Sequence, residues 1–254
     1  MSPFIIIGNW KMNPRTSKNA ETLFRKTSVL CKTIKKTRVI ACVPAPFLGH
    51  ISKIKSKIML GVQDVASVLE GSYTGSSSAP MFASVGAHYT LIGHSEKRKE
   101  GDTNEIVSKK VDQALKAKLI PVVCVGENLR DEHGEYHNEI KTQLEESLSS
   151  YPKSKASSLV VAYEPVWAIG KNATREATPE ESREMSVYIK KVLTDMWGKN
   201  AQSVTVLYGG SVNAENAASF LREGGVQGLL VGRESLNPSK FARIITTAEK
   251  LTTL

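Results

Sequence analysis

Eight short runs of apolar, largely β-branched residues recur along the chain. They are FIIIGNW (4–10), RVIACV (38–43), KIMLGVQ (57–63), YTLIGH (89–94), IPVVCVG (120–126), SLVVAYE (158–164), SVTVLYG (203–209) and GLLVG (228–232). Each is nearly continuous in its apolar character, the pattern of a parallel strand buried on both faces; a half-exposed antiparallel strand would alternate. Amphipathic stretches lie between them, clearest at 103–118 and 178–197. In the second, Thr178 suits an N-cap, Pro179 the first helical position and Glu181 the far end of a capping box. The pattern predicts strands and helices in strict alternation.

Eight such units in 254 residues are the arithmetic of a closed (β/α)8 barrel, although an open doubly wound sheet can be written with the same string. Glycine chemistry favours the barrel. No G-x-G-x-x-G follows the first strand, and neither G-x-x-x-x-G-K-[ST] nor G-x-S-x-G occurs, so the nucleotide-binding and hydrolase variants of the open sheet lack their signatures. No internal linker divides the chain, and residues 1–254 are expected to form a single domain.

Composition narrows the function classes. A hydrophobic fraction of 41% with 23% charged residues fits a soluble globular protein and not a disordered one. No segment approaches the ~20 apolar residues that span a bilayer, and the N-terminal stretch lacks the basic region of a signal peptide. Cys31, Cys42 and Cys124 are widely spaced without a C-x-x-C pair; they read as reduced, buried thiols and place the protein in the cytoplasm. The net charge of +9 is uneven, because residues 1–60 hold twelve Lys/Arg against the single acid Glu21. That asymmetry suits a polyanion binder, but no base-stacking or recognition motif accompanies it, so solvated helix faces account for it and no nucleic-acid or membrane partner is expected.

In a barrel the reactive groups belong at the C-terminal ends of the strands. Asn9 and Lys11 close the first run, His94 the fourth and Glu164 the sixth, while YGGS (208–211) and VGR (231–233) close the last two. Taken singly, each is as readily a solvated lysine, a hydrogen-bonded histidine or a turn entry. Together, a carboxylate base, an imidazole donor, a cation and an amide suit proton abstraction beside a carbonyl, with enolate charge stabilised by the last three. This chemistry needs neither a metal nor a cofactor. Pro165 drives Glu164 away from the α region and fixes the direction of its strand end. Gly170, the GGS turn and Gly232 supply backbone N–H groups for an anion.

GNWKMN (8–13), IGHSEKR (92–98), CVGE (124–127), AYEPVWAIG (162–170), YGGSV (208–212) and LLVG (229–232) resemble the signature segments of the triosephosphate isomerase family, in its order and over essentially the whole chain. The resemblance implies a TIM barrel and a cytoplasmic, homodimeric isomerase of glycolysis and gluconeogenesis. It implies that Glu164 shuttles the proton, that neutral His94 polarises the carbonyl and that Lys11 and Asn9 hold the substrate. It also implies a lid at 165–175, phosphate binding by Gly170, Ser211, Gly232 and Arg233, and support of the closed lid and its Trp167 by Tyr208, Ser211 and Glu127. The loop 71–79 with Thr74 would reach a second subunit. This chain departs from the family pattern in four places. Its lid runs two residues longer and lacks a second glycine; Arg233 stands where glycine is usual, with its backbone N–H expected to be kept; and Ser76 and Lys97 replace an acid and an arginine.

Two further signals are weaker. His133 and His137 in HGEYH have the spacing of two ligands on one helix face, but Gly134 and the polar surroundings predict a loop or helix start without metal. Cys124, beside Val123 and Val125, reads as core.

Overall fold

The structure is a computed structural model and describes residues 3–170, 173 and 175–252. The strands are β1 (Ile5–Asn9), β2 (Arg38–Val43), β3 (Met59–Val62), β4 (Tyr89–Ile92), β5 (Ile120–Val125), β6 (Val160–Tyr163), β7 (Thr205–Tyr208) and β8 (Gly228–Val231). Each falls inside one of the eight apolar runs. All pair in parallel in sequence order, and β1 closes the ring against β8 with Ile5 opposite Gly228. The sheet is therefore a closed barrel, and the open alternative is excluded.

Helices connect the strands on the outside: α1 (Ser17–Leu30), α2 (Ala45–Ile51), α3 (Ala79–Ser84), α4 (Ser95–Lys99), α5 (Asn104–Lys116), α6 (Tyr136–Ser147), α7 (Pro179–Trp197), α8 (Ala217–Glu223) and α9 (Pro238–Thr252). The two helices predicted most clearly begin at their caps. Thr103 Oγ1 accepts the N–H of Ile106 before α5, and before α7 the full Thr178–Glu181 capping box forms.

The period-2 geometry of the strands divides their apolar side chains into two cores. Ile5, Ile7, Ile40, Cys42, Leu91, Val122, Cys124, Leu207 and Leu230 fill the barrel, whereas Ile6, Val39, Val123, Val161 and Val206 pack outward against the helices. This is why the runs are apolar at nearly every position. All three cysteines are free and buried, and Cys124 is core as expected. The basic residues of the N-terminal quarter are exposed apart from Lys11, in keeping with solvated faces.

Candidate active site

The C-terminal rim of the barrel holds a cavity of about 540 Å³. Asn9, Lys11, His94, Glu164, Gly170, Ser211, Gly232 and Arg233 all border it. The catalytic and substrate-binding candidates from the sequence thus meet in one place, although they are scattered from residue 9 to residue 233.

Lys11 lies just beyond β1 with φ 50°, a left-handed conformation that non-glycine residues seldom take. Two polar contacts hold it there. Its N–H donates to Asn9 Oδ1 at 2.9 Å, and its carbonyl accepts from Gln63 Nε2 at 2.8 Å. Its Nζ reaches Glu96 Oε1 at 2.6 Å. Burial is the largest single influence on the Glu96 carboxyl and raises it, but the Lys11 bond and the nearby positive charges together outweigh it and leave the group below its ordinary value.

His94 caps α4. Its Nδ1 accepts the N–H of Glu96 at 3.2 Å, so the proton of the neutral ring resides on Nε2. Nε2 lies 3.1 Å from Glu164 Oε1, and Glu164 Oε2 accepts the N–H of Ser95 at 2.9 Å. Base and imidazole are therefore within hydrogen-bond reach, and both are almost fully buried.

Glu164 is set by backbone on three sides. Its N–H donates to Val125 O at 2.8 Å, Pro165 follows in extended conformation, and Val166 N–H donates to Glu127 O at 3.1 Å. Gly126 packs so tightly that a Cβ there would sit 1.7 Å from Glu164 O. Gln143 grips this glycine from behind, accepting its N–H at 2.9 Å and donating to its carbonyl at 3.0 Å.

Beyond the base, Val166–Ala168 form one 3₁₀ turn. Trp167 Nε1 and the Tyr163 hydroxyl both donate to Glu127 Oε1, at 2.7 and 2.8 Å. Burial raises the Glu127 carboxyl, opposed by these two bonds. The Tyr208 hydroxyl is buried without a hydrogen-bond partner among the described residues, and Ser211 Oγ donates to Ala168 O at 2.9 Å. Of the lid span 165–175, residues 171, 172 and 174 lie outside the described ones. Arg233 is exposed at the cavity edge and is not among the non-glycine residues with positive φ, so it carries no left-handed strain.

Sequence reasoning missed Gln63, Glu96, Gln143 and the Ser95 amide. Ser95 and Glu96 directly follow His94 in HSEKR, and Gln63 closes the third apolar run, whereas nothing near Gln143 signalled it. The HGEYH histidines hold no metal cluster among the described residues. His137 instead packs between the tilted rings of Tyr136 and Tyr188 and faces Glu184.

A closed (β/α)8 barrel whose rim joins a buried carboxylate, a neutral imidazole and a lysine defines an enzyme of proton transfer beside a carbonyl. Comparison with known proteins makes this specific. The family model described as triosephosphate isomerase matches residues 4–248. The triosephosphate isomerase of Herminiimonas arsenicoxydans is 39% identical over 251 residues, covering 96% of this chain and 98% of the relative. That of Dehalococcoides mccartyi is 39% identical over 253 residues, covering 98% of each. The crystal structure of triosephosphate isomerase from Bartonella henselae superposes with a TM-score of 0.85 at 33% identity, covering 97% of this chain and 99% of that one. The chain belongs to the triosephosphate isomerase family, and it interconverts D-glyceraldehyde 3-phosphate and dihydroxyacetone phosphate, a step of glycolysis.

Proposed function

We propose that this reaction runs on Glu164, His94, Lys11 and Asn9, each in a distinct role. The observation that carries the assignment is the 3.1 Å approach of His94 Nε2 to Glu164 Oε1. A substrate carbonyl oxygen entering the cavity replaces the carboxylate as acceptor of the Nε2–H, which polarises the carbonyl and frees Glu164. The carboxylate then removes a proton from the neighbouring carbon, and charge moves onto the oxygen facing His94 and the Lys11 ammonium. A proton also passes from the hydroxyl oxygen to the former carbonyl oxygen, both within reach of the His94 Nε2–H, and return of the carbon-bound proton from Glu164 to the adjacent carbon completes the isomerisation. Asn9 contributes by fixing the strained Lys11 backbone.

The phosphate is held by backbone N–H groups of Gly170, Ser211, Gly232 and Arg233, with Lys11 supplying positive charge. Their place on the cavity wall supports this reading, and so do the amides opening the 3₁₀ turn Arg233–Leu236, which lack intrahelical partners. Residues 165–175 act as a lid over the site and shield the enediolate from water. Glu127 already accepts the lid's Trp167 through Oε1, and its Oε2 and the Tyr208 hydroxyl, both buried without hydrogen-bond partners among the described residues, receive the rest of the lid when it closes.

The protein works as one domain and as a homodimer. Support comes from large apolar side chains exposed on neighbouring loops: Met12 after β1, Leu69 and Tyr73 in the segment after β3, and Met81 and Val85 around α3. Thr74 is exposed at the tip of the same segment. Three reduced cysteines suit the cytoplasm. The roles are tested by assaying interconversion for the parent, E164D and H94Q. Losses of about 10²- to 10⁴-fold in kcat with unchanged circular dichroism are expected, and variants as active as the parent would overturn the roles. Sedimentation at assay concentration should return twice the chain mass; a fully active monomer would refute the dimer.

A further inference from the structure

Charge is divided between the two ends of the barrel. Seven connections lead from a helix to the next strand: 31–37, 52–58, 85–88, 117–119, 148–159, 198–204 and 224–227. They hold ten lysines, three in each of the first two, and no Asp or Glu. The strand-to-helix connections, on the active-site rim, hold ten acids and six Lys/Arg. In a closed parallel barrel every helix-to-strand connection opens on the same end, so the ten lysines share the face opposite the cavity. The last turns of the helices leading there add five acids and three Lys/Arg, a deficit of two that leaves the face strongly basic.

All ten lysines are exposed, and among the described residues none pairs with a carboxylate. Lys109, Lys116 and Lys141, on the helices, all do. The two richest connections lie side by side, since Lys57 Nζ donates to Lys32 O at 3.1 Å and to Ile34 O at 3.4 Å. The acid beside them, Glu249, is already taken by the N–H groups of Lys35, Lys36 and Thr37. Lysines scattered over helix faces need no partner, and the sequence suggested that arrangement. Gathered unpaired at one end, they repel one another, and an opposing anionic surface relieves this.

We propose that this face docks the enzyme reversibly on an anionic lipid bilayer, with the cavity turned toward solvent. A plane meets all five lysine-bearing connections at once, whereas a nucleic-acid duplex, being a rod, meets only those along one line. The face also lacks what bases need: its connections hold no Phe or Trp, and their single Tyr, Tyr151, is buried. Lysine, a compact hydrated charge, suits headgroup phosphates without a fixed geometry. Each lysine that meets such a surface strengthens binding about fivefold, and salt screens the effect. The apolar residues assigned to the dimer lie in segments that carry none of these lysines.

The test is co-sedimentation with vesicles of one part phosphatidylglycerol to two parts phosphatidylcholine, with pure phosphatidylcholine as the neutral comparison. The parent should bind the anionic vesicles at low salt, release at about 0.5 M salt, and ignore the neutral ones. K32Q/K55Q/K153Q should bind about 10²-fold more weakly, as three fivefold steps require. K18Q/K109Q/K191Q removes the same charge from helices α1, α5 and α7 and should lose far less. Melting temperatures within a few degrees of the parent confirm that the variants are folded. Enzyme on the vesicles should keep its turnover, because the cavity faces away. No binding at low salt, equal losses in the two triple variants, or turnover blocked on the vesicles would overturn the proposal. Tighter binding to a DNA duplex or to polyglutamate at equal anionic charge would overturn lipid as the partner.

Discussion

Replacing Gly126 with alanine puts a methyl group where the base's own backbone stands. The added Cβ would lie 1.7 Å from Glu164 O and 2.7 Å from its carbonyl carbon, against a floor of 3.0 Å for real Cβ contacts. At least 1.3 Å must therefore be opened between the ends of β5 and β6. Gln143 holds Gly126 through both its backbone groups, so the glycine yields poorly and Glu164 takes most of the shift. A misplacement of about 1 Å at a reacting group costs on the order of 10²-fold in rate, and overpacking a tight site costs about 1–3 kcal/mol of stability. We expect G126A to lose about 10²-fold in kcat while remaining folded by circular dichroism. G49A is the control: nothing lies within 4 Å of its added Cβ, so it should keep parental activity. A G126A protein with parental kcat would show that the base is not held by this contact.

Further perturbations test other parts of the account. Lys110 is buried between Asp64 (2.7 Å) and Asp102 (2.6 Å); K110M leaves two carboxylates without their shared cation, and urea titration should show a loss of about 3–5 kcal/mol. For Glu249, burial pushes the carboxyl up, but the N–H groups of Thr37, Lys35 and Lys36 overcome this and hold it at about 2, against an ordinary 4.5. Its stabilisation, about 1–2 kcal/mol after allowance for solvent screening, is thus complete above pH 4.5 and lost as pH falls through 2. The stability gap between the parent and E249Q should be constant near neutrality and shrink across that window. Removing the Gln63 amide frees the strained Lys11 carbonyl, so Q63A should raise KM more than it lowers kcat, because Lys11 reaches the substrate through position and charge.

The strands were legible because burial on both faces leaves almost no polar position in them, and the helix start at Thr178 because capping is local chemistry. Asn9, Lys11, His94 and Glu164 stood out because polar groups at the ends of apolar runs have no packing reason to be there. Barrel closure was only favoured from the sequence, since the β1–β8 pairing joins residues more than 200 apart and no local pattern encodes it. Gln63 and Gln143 were hidden for a related reason. Each acts on a residue brought to it by the fold, and a lone glutamine, even at a strand end like Gln63, resembles any solvated side chain. Glu96 was partly visible, but its bond to Lys11 spans 85 positions.

The central claim is that Glu164 carries a proton between neighbouring carbons of the substrate. It is tested most directly by running the isomerisation in D₂O and locating deuterium by NMR. A proton resting on a carboxylate exchanges with solvent, so the parent should place deuterium on the carbon that receives it, and E164Q should show neither turnover nor exchange. Product from the parent that retains only protium, or exchange in E164Q as fast as in the parent, would contradict the account.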